Sequence, residues 1–210
     1  MTLDGELTLD PEGYIASGRG SLVFNHPNDP KILLKIPKEK RPPKLRRRIS
    51  RSLRPNKRRL GKYREWHRET EEYIAAMRKI GGLPSCLPAP RGFVQTNLGP
   101  AYAVEKISDE NSTDLALTVE EYLKDHDAQE LRGVIDKFFE DVGRYRIIFF
   151  DMRLYNLCVV RDASGNPVRI VSIDSIGEAT VLQVRKWSST AYKHWFEKTR
   201  KKFLNAVYPE

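Results

Sequence analysis

The chain has 210 residues, 40% of them hydrophobic and 10% aromatic, which fits one well-buried core or two small ones and excludes a disordered chain. No apolar run reaches the length of a membrane span, and Met1–Glu6 has neither the basic nor the apolar part of a secretory signal, so a cytoplasmic protein is expected. The formal charge of +9 is concentrated between Lys38 and Lys62, where thirteen basic residues meet one acid, Glu39, leaving the rest of the chain at about −3. Cys86 and Cys158 lack metal-ligand spacing and are expected to be partly buried, reduced thiols.

Residues 8 to 37 read as a β-meander. Leu22-Val23-Phe24 and Ile32-Leu33-Leu34-Lys35-Ile36 are predicted strands, with His26-Pro27-Asn28-Asp29-Pro30 turning between them. The basic stretch 38–62, broken by Pro42, Pro43 and Pro55, reads as an insertion with a short helix from Lys44 to Leu53. A helix is predicted over 63–79, with Tyr63, Trp66, Tyr73, Ile74 and Met77 as its apolar face and Gly81-Gly82 as its stop. Two strands, Arg91–Thr96 and Ala101–Ile107, follow an irregular connector. Helices are then predicted over Thr118–Lys124 and Asp127–Tyr145. A hairpin spans Asn156–Arg161 and Val168–Ile173, and a basic, Trp-containing helical tail runs from Arg185 to Val207. The order predicts an α+β fold with a small β-rich N-lobe, residues 1–107, and a truncated helical C-lobe, residues 108–210. His26 and His194 are isolated and read as surface or capping residues, while Trp187 and Trp195 are expected to pack the tail onto the C-lobe.

Four features that could carry chemistry occur in order. Gly18-Arg19-Gly20-Ser21 lies between predicted strands; glycines let a backbone approach phosphates closely, although the same residues also make an ordinary hairpin turn. Lys35 shares a strand face with Leu33, which fits a lysine in a cleft or an edge-strand charge. Asp151-Met152-Arg153-Leu154-Tyr155-Asn156 follows an apolar segment and has the spacing of a phosphoryl-transfer loop. There the acid accepts the proton of an attacking hydroxyl and the amide binds a metal. Asp174, at the end of the apolar strand Ile170–Ile173 and three residues before Gly177, fits a metal-binding aspartate. The helix of 63–79 supplies acids that could orient Lys35. Glu69 is favoured among them because helical spacing puts it on the face of Trp66 and Tyr73.

Taken together, these residues resemble the YrbL family of PhoP regulatory network proteins, grouped with the protein-kinase-like proteins. The matching stretches are Gly18–Gly20 through His26-Pro27 to Lys35-Ile36, then Arg68-Glu69, Asp151–Asn156 with Cys158, and Asp174–Thr180 with Trp187. The resemblance implies a protein-kinase-like fold using ATP and Mg²⁺. Backbone N–H groups of Gly18, Gly20 and Ser21 would cover the phosphates, and Lys35, oriented by Glu69, would hold them. Asn156 and Asp174 would bind Mg²⁺, Asp151 would be the base, and Arg153 would steady the transferred phosphate. The sequence also departs from the kinase pattern. Val23 replaces the third glycine, Phe149-Phe150 precedes Asp151, Ser175-Ile176 follows Asp174, and only 33 residues follow Gly177. That length leaves no room for a peptide-holding subdomain, so a sugar or lipopolysaccharide component is the expected acceptor. A pseudokinase acting as a regulatory binding module, with a protein partner, is the alternative. The Lys38–Lys62 stretch is expected to meet an anionic lipid, lipopolysaccharide or phosphosugar, with the protein peripheral at the inner membrane. It has no aromatic residue before Tyr63 for stacking bases, which argues against sequence-specific nucleic acid.

Overall fold

The computed structural model describes residues 6–18, 20–38, 59–178 and 183–209. Residues 39–58 of the basic stretch lie outside the described residues, with the helix expected from Lys44 to Leu53; so do Arg19 and 179–182. The fold is α+β. Two compact units form: residues 1–70 with 90–106, and residues 71–89 with 107–210.

The first unit is built on an antiparallel sheet of β1 (Ala16–Ser17), β2 (Ser21–His26), β3 (Asp29–Pro37), β4 (Pro90–Thr96) and β5 (Gly99–Glu105), in the order β1-β2-β3-β5-β4. Period-2 alternation assigns its two faces. Phe24, Leu34, Ile36, Ala101 and Ala103 point to one side and pack with Leu9. Leu7 pairs with Thr96, and Asn97 exchanges two hydrogen bonds with Leu9, so the N-terminal segment is tied onto this side. Leu33, Tyr102 and Val104 point to the other side, where Trp66 and Tyr63 cover them. Trp66 stands 5.9 Å from Tyr102 and 5.5 Å from Phe93, ring to ring. Trp66 lies in the first turn of helix α1 (Arg64–Ile80), and Tyr63 ends the 3-10 turn just before it.

The second half of α1 belongs to the second unit. Tyr73 and Ala76 are buried there, among Leu131, Ile135, Phe138, Phe139 and Val142. Ile74, expected on the apolar face, is instead 58% exposed; it lies about 100° around the helix from Tyr73, beyond the buried stripe. Helix α2 (Val119–Tyr122) starts at a capping box in which Thr118 and Glu121 satisfy each other's backbone N–H groups. The long helix expected over 127–145 is two elements: a 3-10 turn, Ala128–Leu131, capped by Asp127, and helix α3 (Arg132–Tyr145). Strands β6 (Leu157–Arg161) and β7 (Pro167–Ser172) form the expected hairpin. Asp109 grips Arg161 through both nitrogens of its guanidinium edge and fixes the hairpin's outer end.

The tail forms α4 (Val184–Trp187) and α5 (Ser189–Val207). Tyr192, Phe203 and Val207 dock α5 into the core, and Trp195 packs against that core as expected. Trp187 does not: it is 81% exposed. The four-residue helix turns Arg185 and Lys186 inward to acids, to Glu178 and Glu71 respectively, which leaves Val184 and Trp187 facing outward. Cys86 and Cys158 are buried and unpaired, and burial pushes both thiols up to about 12. Among the described residues, no helix is long and apolar enough to cross a membrane.

Candidate functional site

The candidate residues fall into two groups, one in each unit. In the first unit, Gly18, Gly20 and Ser21 lie where β1 passes into β2, and Gly18 N donates to Ser21 O at 3.0 Å. Lys38 braces this junction: its Nζ donates to Ser17 Oγ and Gly18 O, and its backbone N–H donates to Gly20 O. Gly20 cannot be another residue without movement, because a Cβ there would overlap the carboxylate of Glu65. The junction that could cradle phosphate therefore has an acid against it.

Lys35 stands on β3, the central strand, opposite Val23 on one side and Tyr102 on the other. It shares the face of Tyr102 and the start of α1. Its Nζ donates to Glu69 Oε2 at 2.9 Å, with both side chains nearly buried, 13% and 11% exposed. Helical spacing places Trp66, Glu69 and Thr70 on one side of α1, and Thr70 bonds the Tyr102 hydroxyl at 3.1 Å, fixing the helix's rotation beside Lys35.

In the second unit, the segments 148–150 and 175–177 run side by side. Phe150 N donates to Ser175 O at 2.9 Å, Gly177 N donates to Ile148 O at 2.7 Å, and Phe149 bridges Ile176. This brings the start of the Asp151 loop beside the Asp174 turn. A 3-10 turn, Leu154–Asn156, then swings Asn156 under the loop. Asn156 is 6% exposed, and its Nδ2 donates to Asp151 O and to Ser175 Oγ, each at 3.1 Å. A backbone carbonyl only accepts, so the amide nitrogen must face Asp151 O, and Oδ1 is the end left to accept. Arg153 Nε donates to Asp151 Oδ1 at 2.9 Å. Asp174 Oδ1 accepts from Ser175 N at 2.6 Å, and its backbone oxygen accepts from Ser172 Oγ.

These donors suit a small hard cation. Asp174 and Asn156 both offer oxygen, and Mg²⁺ is typically held by one or two such groups with water and substrate phosphates completing its shell. Among the described residues, no group of three or more His, Cys, Asp or Glu could form a self-contained metal cage.

Two buried acids lie behind this loop. Glu72, on α1, is 4% exposed and accepts from Ile148 N at 2.9 Å; burial pushes its carboxyl up to about 7 against the pull of that bond, Lys79 and Lys186. Glu178 is fully buried and held by both guanidinium edge nitrogens of Arg185. Arg185 also donates to Phe149 O and lies over the Trp195 ring at 5.0 Å. Sequence reading singled out neither for its burial, nor Ser175 for its bonds. An acid flanked by apolar residues, as in Ile176-Gly177-Glu178-Ala179-Thr180-Val181, was the signal available for Glu178.

A sequence model of the family described as "PhoP regulatory network protein YrbL" matches residues 7–207, nearly the whole chain. The chain belongs to that family. Its relatives include the uncharacterized protein YrbL of Escherichia coli (strain K12) and that of Shigella flexneri. Each is 22% identical over 201 residues, covering 94% of this chain and 86% of the relative.

Proposed function

We propose that this protein is a phosphotransferase of the protein-kinase-like class, using Mg²⁺-ATP and transferring to a non-protein acceptor such as a sugar or a lipopolysaccharide component. The Lys35–Glu69 pair carries the reading. Two nearly desolvated charges on a central strand and a helix add little net stability compared with well-packed apolar residues, so a ligand-binding role accounts for them better. Lys35, oriented by Glu69, would bind nucleotide phosphates, and backbone N–H groups near Gly18, Gly20 and Ser21 would cover them. Asp174 and the Oδ1 of Asn156 would hold Mg²⁺, which neutralises phosphate oxygens when bound. The acceptor's hydroxyl oxygen would bond to the γ-phosphorus as the bond to the β–γ bridging oxygen breaks, releasing ADP. Asp151 would take the hydroxyl proton, and Arg153 would offset charge on the transferred group. The +12 stretch from Lys38 to Lys62 suits an anionic acceptor or lipid surface.

Calorimetric titration of Mg²⁺-ATP into wild-type protein, Lys35→Ala and Asp174→Ala tests this. Binding by wild type that is lost in both variants is expected; equal binding by all three proteins refutes it. One observation favours a second reading, a pseudokinase that binds a partner instead of turning over nucleotide: the Glu65 carboxylate stands against Gly20, where a phosphate would have to approach. No nucleotide binding by wild type would select that reading. Retention of the wild type but not a 38–62 deletion on vesicles containing anionic phospholipid would then place the basic stretch at a membrane.

A further inference from the structure

The segments of three candidate residues of the second unit meet at one residue that has no place in the proposed chemistry. Ser175 bonds to each of their segments with a different group. Its backbone N–H holds Asp174 Oδ1 at 2.6 Å. Its backbone oxygen accepts from the N–H of Phe150, next to Asp151, at 2.9 Å. Its hydroxyl oxygen accepts from Asn156 Nδ2 at 3.1 Å in a fully enclosed bond.

The residue is 4% exposed, and its φ is +64°. That left-handed conformation strains any side chain but glycine, Asn or Asp. Here it turns the N–H back to the preceding carboxylate while the hydroxyl faces Asn156. A glycine would take the same backbone without strain but would leave the second hydrogen of the Asn156 amide without this acceptor. Serine is thus the smallest residue that makes all three bonds, and it does so at a conformational cost.

We propose that Ser175 is a positioning residue for the metal ligands: its hydroxyl sets the orientation of the Asn156 amide, and its backbone sets that of the Asp174 carboxylate. The metal role rests on the phosphotransferase reading above. The hydroxyl's effect on Asn156 does not, since it belongs to the nucleotide-free protein. Asn156 has two amide hydrogens, and Asp151 O holds only one of them. Without Ser175 Oγ, the amide can rock about its remaining bond, and Oδ1 loses its fixed direction. Groups that orient metal ligands in this way typically change metal affinity by about 10–100-fold when removed.

Two variants separate positioning from stability, because they remove the same hydroxyl with opposite effects on the backbone. Ser175→Ala keeps the strained Cβ. Ser175→Gly relieves it, and is expected to melt above Ser175→Ala. The readouts are Mg²⁺ affinity at saturating ATP by calorimetry, melting temperature, and the side-chain amide resonance of Asn156 in ¹⁵N-labelled, nucleotide-free protein. The expected result is a similar loss of Mg²⁺ affinity in both variants, about tenfold or more, with a shifted or broadened Asn156 amide signal and no correlation with melting temperature. Unchanged Mg²⁺ affinity in both variants overturns the proposal while leaving the phosphotransferase reading intact; so does a loss confined to the less stable Ser175→Ala. If wild type shows no Mg²⁺-dependent nucleotide binding, the phosphotransferase reading falls and the metal role of Ser175 falls with it. An unshifted Asn156 amide in both variants refutes the positioning of the amide itself.

Discussion

Replacing Glu72 with Gln should stabilise the protein at pH 8 and leave it unchanged or weaker at pH 5. The carboxyl is nearly buried, and its proton is held up to about pH 7 against an ordinary 4.5, chiefly by desolvation. In the unfolded chain the group ionises near 4.5. Across the window from about 4.5 to about 7, the unfolded state therefore binds fewer protons, and stability falls as pH rises. The displacement is roughly 2.5 units, or about 3 kcal/mol in full by linkage. Glutamine keeps a carbonyl oxygen for Ile148 N, and the attraction of that bond, Lys79 and Lys186 for the charge is already included in the displacement, because each of them pulls the carboxyl down against its burial. The gain at pH 8 is then up to about 3 kcal/mol, equivalent to roughly 6–12 °C in a domain of this size. At pH 5 the wild-type carboxyl is already protonated when folded, so the gain disappears. Thermal melts of both proteins in matched buffers from pH 5 to pH 8 read this directly. The groups that bear on Glu72 are Glu71, Lys79 and Lys186, with Tyr192 also within electrostatic reach. A difference between wild type and variant that does not change with pH would refute the reasoning and show Glu72 ionised in a stable pair with the lysines.

Removing a charge beside Gly20 should help an anionic ligand. Glu65→Gln is expected to raise ATP affinity by about three- to tenfold, and weaker binding would count against a phosphate at Gly18–Ser21. Arg185→Ala removes the guanidinium that holds the buried Glu178 carboxylate and should cost about 3–5 kcal/mol in chemical denaturation; a cost under 1 kcal/mol would mean that water or another residue replaces the guanidinium. Trp187→Ala should change stability by no more than about 0.5 kcal/mol, because the ring is 81% exposed; a large loss would show that the ring is covered in solution.

Local patterns carried most of the fold. Alternation around Leu34 and Lys35, helical spacing through Trp66 and Glu69, and turn chemistry at Asn97–Pro100 and Asp162–Asn166 each depend on neighbours a few residues away, and each element formed as expected. The misses came where neighbours in space decide. Trp187 looked like a core residue by type, but Arg185 and Lys186 won the inward positions because acids waited there, and a buried charge without a partner costs more than an exposed indole. Ile74 belongs to the apolar set by composition yet falls outside the stripe that the second unit covers. For the candidate site, the kinase-like order of parts called for an acid on the helix to meet Lys35, and helical spacing chose Glu69 among the acids there. Ser175 could not be singled out, because its importance lies in a left-handed φ and in bonds to residues 19 and 25 positions earlier, which no spacing rule encodes.

Charge within the second unit gives the proposal its sharpest consequence. Asp151 and Asp174 contribute two negative charges to this cluster and Arg153, paired with Asp151, one positive, a net of −1 before any nucleotide arrives. ATP phosphates would be repelled by that set unless Mg²⁺ came with them. Wild type should therefore bind ATP far more weakly in EDTA than in Mg²⁺. On the proposed reading, Asp174→Asn removes the uncompensated charge but also the ligand proposed for the metal, so it should weaken Mg²⁺-ATP binding while strengthening metal-free ATP binding by a few-fold. A general loss of fold or of nucleotide affinity cannot produce opposite changes in the two titrations. If Asp174→Asn lowers both affinities together, Asp174 acts by holding the turn in shape rather than by its charge, and the assignment of a metal ligand there is wrong.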